Sequence, residues 1–141
     1  MKDFATIRNL IRDNFFDIEQ IRDLIEGAEI DISSSHYRLI SADEIDEIMT
    51  EELSEDEYML GCFNAWFLAD ILGTSADAIE AMQKAEAYEG IGKMILHKDL
   101  VHDLQQAYVS ADGYGHHFNH YDGSEEKINL SGSSYYLFRT N

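Results

Sequence analysis

The chain has no proline, one cysteine and only ten Lys and Arg residues in 141 positions. Each shortage excludes something. A single cysteine, Cys62, leaves no intrachain disulfide to form and fits a reducing compartment. Without proline, turns fall to Gly, Ser, Asn and Asp, which suits a helix-rich N-terminal part. Ten bases stand against 28 acids, a formal net charge of −18. Direct binding to nucleic acid or to an anionic membrane is therefore disfavoured, and basic surfaces, including those of nucleic-acid-binding proteins, are the natural partners. A long apolar run is also missing. Met59 to Leu72 is the longest, and it is broken by Asn64 and Asp70 and falls short of the about 20 apolar residues that span a bilayer. The opening MKDFATIRNL has no apolar stretch of the signal-peptide kind. A soluble, cytoplasmic protein is expected.

What is present is enough apolar material for a core: 45% of residues are hydrophobic and 11% aromatic. Disorder would need low hydrophobicity as well as high charge. The length suits one domain, and no linker divides it, so residues 1–141 are read as a single domain. The expected class is α+β, with a mainly helical part over about residues 1–109 packed on a small three-stranded antiparallel sheet over about residues 110–141.

Apolar spacing predicts helices over Asp3–Ile11 and Asp17–Glu26. Glu29 to Ile32 and His36 to Ile40 read as a short hairpin around the serine run. Ser41 and Glu44, then Ser54 and Glu57, have capping-box spacing, and open one helix to about Glu52 and another to about Leu72. The second is apolar nearly all round, which predicts a central core helix carrying Cys62 and Trp66 inside. Ser75 caps a helix over Ala76 to about Tyr88. Gly90 and Gly92 are expected to break the chain before Lys93, and another helix covers Asp99 to Tyr108. Beyond Ser110, strands are predicted over His116–Tyr121, Glu125–Leu130 and Tyr135–Thr140, the first two joined by Asp122-Gly123, a strong hairpin signal.

The densest feature is acidic. Asp43, Glu44, Asp46, Glu47, Glu51, Glu52, Glu55, Asp56 and Glu57 fall within 16 positions that hold no base. Ile45, Ile48, Met49 and Leu53 would hold one face on the core and turn the carboxylates outward. Residues three or four apart on a helix lie about 5–6 Å apart, so two such rows could present a phosphate-like array to a protein built to hold nucleic acid. A charge run is ordinarily just a solvated face. Here the run has no interleaved Lys to form the i,i+4 pairs of an ordinary surface helix, and the whole chain is acidic.

Other candidates are weaker. His116, His117 and His120, with Asp122, have donor types suited to zinc. In a strand, however, His116 and His120 would lie about 13 Å apart, too far for one ion. No metal or other cofactor is therefore assigned. Cys62 has no neighbouring base and is expected to be a buried, inert thiol. Gly90-Ile-Gly-Lys93 lacks phosphate-loop spacing and has Met94 where a hydroxyl would bind magnesium. Asn64 and Asp70 are expected to be hydrogen-bonded polar groups of the core helix. No catalytic motif emerges, and a non-enzymatic protein is expected.

Tyr121, Tyr135, Tyr136 and Phe138 belong to an aromatic surplus in the tail. It can form a partner interface or a homodimer contact, and can equally cover the edge of the sheet.

The tail Gly113-Tyr-Gly-His-His-Phe-Asn-His-Tyr-Asp-Gly123, with Tyr135-Tyr-Leu-Phe-Arg-Thr-Asn141, resembles the ending of small acidic proteins encoded by bacteriophages and mobile elements of enteric bacteria. Leu60-Gly-Cys-Phe-Asn-Ala-Trp-Phe-Leu-Ala-Asp70 is similar to the middle of the same group. The resemblance implies a setting, the inside of a bacterial host cell, and carries over no site residues. Small acidic proteins in that setting are often inhibitors of host defence, restriction and CRISPR systems among them. The leading expectation is thus an anti-defence inhibitor whose nine acids mimic DNA toward a basic nucleic-acid-binding host protein. The alternative is an interaction module that uses the aromatic sheet. A metal-dependent enzyme using the histidines ranks third.

Overall fold

A computed structural model describes residues 30–32, 35–130 and 132–140. The helices expected over Asp3–Ile11 and Asp17–Glu26 lie outside the described residues. The chain divides into two compact units, one taking the residues up to Ile45 and from Asp112 onward, the other Asp46–Ala111. The fold is α+β, as the sequence predicts, with helices and a small antiparallel sheet that holds the C-terminal strands.

In the first unit, β1 (Ile30–Ile32) and β2 (Ser35–Ser41) form the expected hairpin. β3 (Glu126–Leu130) and β4 (Ser133–Arg139) form a second hairpin, closed by a tight turn with Gly132 at φ 83°. The left-handed region there costs glycine little. β4 pairs with β2 in register Leu39↔Leu137, giving the sheet order β1-β2-β4-β3. The sheet is antiparallel throughout; β3 and β4 are the expected C-terminal strands, and the β1–β2 hairpin joins them in place of the strand expected over His116–Tyr121.

The strand expected over His116–Tyr121 is instead a one-turn helix, Gly115–Phe118, followed by a loop. Asp122-Gly123 lies in that loop. Asn119, nearly buried, organises it: Oδ1 accepts from the Tyr121 and Asp122 N–H groups, and Nδ2 donates to the Ser124 carbonyl. An Asx turn has outcompeted the two-residue hairpin. Phe118 stacks on Phe138 with ring centroids 5.1 Å apart, and both are buried.

The second unit contains most of α1 (Ile45–Ser54), then α2 (Glu57–Leu60), α3 (Ala65–Leu72), α4 (Ala76–Lys84), α5 (Tyr88–His97) and most of α6 (Val101–Asp112). Its core includes Met49, Leu53, Leu60, Leu68, Ile79, Ile91, Ile95 and Leu104.

The single long helix expected to Leu72 is two helices, α2 and α3, with a break at residues 61–64. Two facts account for the break. Gly61 packs against the Tyr88 backbone so closely that a Cβ would overlap it. Asn64 then restarts the helix as its cap, accepting from the N–H groups of Trp66 at 2.9 Å and Phe67 at 3.4 Å. The restart resets the helical phase. Trp66 is consequently 73% exposed, and Cys62, Asn64 and Asp70 are exposed too, not parts of a buried helix.

Gly90 and Gly92, expected to break the chain, lie inside α5. Gly92 is there because Glu57 of α2 crosses it, backbone against backbone. α4 ends at Lys84, earlier than expected, with Glu86 in the left-handed region at φ 60°.

Candidate functional site

The acidic run has the local structure its spacing suggests, with one change of cap. After β2, Ser41 accepts from two N–H groups, Asp43 to its Oγ and Glu44 to its carbonyl, and α1 starts at Ile45. Ser54 does not cap α2. Its hydroxyl donates back to the Thr50 carbonyl at 2.7 Å, and Asp56 is the cap, its Oδ1 accepting from the Met59 N–H at 3.0 Å. A carboxylate at that position also meets the positive end of the helix dipole, which the serine could not offer.

The nine acids separate by environment. Asp43, Glu44, Glu47, Glu51, Glu55 and Asp56 are exposed; Asp46, Glu52 and Glu57 are half-buried. Met49 and Leu53 are fully buried on the opposite side of α1. Glu47 and Glu51 are one turn apart on the outer face, and Glu55 follows at the same interval just beyond the helix end. On a helix, Cβ atoms at that interval stand about 5–6 Å apart, which sets the spacing of Glu47 and Glu51.

Of the half-buried acids, Asp46 has an inward role. Asp46 Oδ1 accepts from Nε2 of the buried Gln105 at 2.8 Å, and Gln105 Oε1 in turn accepts from Gln106 at 2.7 Å. Glu57 has Lys93 at 4.0 Å, a largely solvent-exposed pair of little energetic weight. The outward array is thus narrower than the run of nine, and Glu47, Glu51 and Glu55 are its regular part.

The aromatic residues are less of a surface than their number suggests. Phe138 is fully buried, Tyr135 and Tyr136 are half-buried, and Tyr121 is 57% exposed with the Arg139 guanidinium 3.6 Å from its ring centroid. Tyr136 contacts Tyr114 and Phe138 and lies under the Lys127 ammonium. His116 and His120 are exposed, and the half-buried His117 meets Phe118 edge-on at 4.6 Å. Among the described residues, no group of three or more His, Cys, Asp or Glu could hold a metal ion.

Two features escaped the sequence. The exposed Trp66 borders a groove with Asp70 and Asp77. Exposed Cys62 stands beside Tyr58 and raises the phenol's pKa, chiefly through its charge, with desolvation and Tyr88 adding to the effect. The readable signal for both was the pair Gly61 and Asn64, a stop and a cap inside an apolar run.

Among the described residues no helix is long and apolar enough to cross a membrane. No protein-family model, curated protein or solved structure matches the chain.

Proposed function

We propose that this chain is a non-enzymatic inhibitor that occupies the basic nucleic-acid-binding surface of a bacterial host-defence protein, with carboxylates standing in for phosphates. The observation that carries the reading is the outward row of Glu47 and Glu51, one helical turn apart on α1, continued by the exposed Glu55 just past the helix end and backed by the buried Met49 and Leu53. A row of like charge suits a groove that holds a phosphate backbone, because each Lys or Arg there can donate to a carboxylate as it does to a phosphate. The net charge of −18 adds a field that steers a basic partner toward the row and repels nucleic acid itself. The resemblance of the tail to small acidic phage and mobile-element proteins supplies the setting.

The test is a pull-down from a phage-susceptible bacterium, followed by competition between this chain and nucleic acid for the captured protein. A basic nucleic-acid-binding protein, displaced by its own nucleic acid and by salt, is the expected result. Glu47→Lys, Glu51→Lys and Glu55→Lys together should abolish binding, while Glu80→Lys with Glu89→Lys, both exposed on other helices, should weaken it only modestly. Equal binding by the two variants would overturn the reading.

A further inference from the structure

We propose that the groove between α3 and α4 is a binding site for an arginine side chain of a protein partner. It has a volume of about 370 Å³, with walls that include Trp66, Asp70, Ala76 and Asp77, and no base lines it. This surface is separate from the row on α1, so the inference does not depend on that row.

Three observations converge on the guanidinium. Trp66 is 73% exposed and makes no ring contact among the described residues, an unusual position for the largest apolar side chain. Asp70 follows it by four residues on α3, so the two side chains leave one helix face from Cβ atoms about 5–6 Å apart, and both line the groove. Asp77 enters from the first turn of α4, and neither aspartate has an ion-pair partner among the described residues.

The chemistry selects the ligand class. Two carboxylates repel phosphate and other anions, and the Ser75 Oγ already takes up the Ala78 N–H at the start of α4. A bare cation would leave the indole unused and finds no set of three ligating groups here. A guanidinium uses both features, because its face stacks on an indole while its edge donates in pairs to carboxylate. Lysine could approach the same charge but has no planar face to stack, so arginine should be preferred.

Trp66 is the one tryptophan in the chain, so its fluorescence reports on this groove directly. N-acetyl-arginine methylamide is titrated into the protein at low ionic strength, with the lysine and citrulline analogues as comparisons. A saturable change is expected with arginine, a weaker one with lysine and none with citrulline, which keeps the shape but lacks the charge. Asp70→Asn with Asp77→Asn, both at exposed positions, should raise the half-saturation concentration about tenfold or more. Circular dichroism confirms that this variant is folded. Glu47→Gln with Glu51→Gln and Glu55→Gln should leave the response intact, separating this site from the row on α1. A non-saturable change, an equal response to citrulline, or no effect of the Asp70 and Asp77 substitutions overturns the assignment.

Discussion

Gly92 of α5 and Glu57 of α2 meet backbone to backbone: a Cβ at Gly92 would overlap the Glu57 carbonyl. Gly61, just past α2, makes the reciprocal approach to the Tyr88 carbonyl at the start of α5. Gly92→Ala and Gly61→Ala should therefore each destabilise by about 1–3 kcal/mol, the usual cost of overpacking. Gly90, in the same helix as Gly92, has open space where its Cβ would be. Gly90→Ala should be neutral or stabilise by about 0.5–1 kcal/mol. Urea denaturation of the three variants reads the difference, and a neutral Gly92→Ala would disprove the close crossing.

Gln83 braces the break between α2 and α3. Its Nε2 donates to the carbonyls of Gly61 at 3.0 Å and Phe63 at 2.8 Å, groups that a continuous helix would have satisfied itself. Gln83→Leu keeps much of the side-chain volume and removes both bonds. It should cost about 1–3 kcal/mol in denaturation, because part-buried carbonyls lose their partner. The amide protons of residues 61–67 should also exchange faster with solvent than in the parent.

Glu86 and Asp99 hold left-handed backbone at φ 60° and 56°, just after α4 and α5. Side chains with a Cβ are strained there, and glycine is not. Glu86→Gly and Asp99→Gly should each leave stability unchanged or raise it by up to about 1 kcal/mol, measured as an increase in thermal midpoint.

These positions also explain what was legible in the sequence. The β1–β2 hairpin, the α1 face with Met49 and Leu53, and the Ser75 cap were readable because local periodicity and capping chemistry agreed with the fold. The end of α4 was not, since Glu86 does the work of a terminal glycine. Gly90 and Gly92 read as a breaker pair because nothing local announces that another backbone will press on one of them. In the tail, Asp122-Gly123 was a sound hairpin signal overridden by Asn119, whose side chain ties up the backbone groups a strand would have needed. Of the site, the acids were legible and their division into outer and inner sets was not. The inward turn of Asp46, for one, depends on Gln105, 59 residues away.

Asp122 is held below the usual carboxylate range, first by its hydrogen bonds with Ser124, then by Asn119 and the charge of Arg139. A depressed folded-state pKa means that the ionised group contributes stability above the ordinary carboxylate value. That contribution is lost as pH falls through the depressed value. An NMR titration of the Asp122 carboxyl should show protonation at lower pH than in a model peptide. Ser124→Ala should move it back upward while leaving the backbone N–H in place, and an unmoved titration would mean that the hydroxyl is not the principal cause.

Tyr58 titrates above the ordinary tyrosine value of 10.0, with Cys62 as the main cause and burial, Tyr88 and Glu86 behind it. Tyr58 is 54% exposed, and its ring lies 5.2 Å from that of Tyr88. A thiolate at Cys62 repels the phenolate, and a hydrogen bond between the two side chains adds to the shift. A raised pKa contributes stability that is complete below the ordinary value and is lost as pH rises through the folded-state value. Cys62→Ser retains a hydrogen-bonding group and removes the ionisable one, so it separates charge from bonding. Tyrosine ring carbon shifts followed by NMR should show Tyr58 ionising at lower pH in Cys62→Ser than in the parent. Glu86→Gln should produce a smaller movement in the same direction. If Cys62→Ser leaves the titration where it was, the charge on sulfur is not the cause and the shift belongs to burial beside Tyr88.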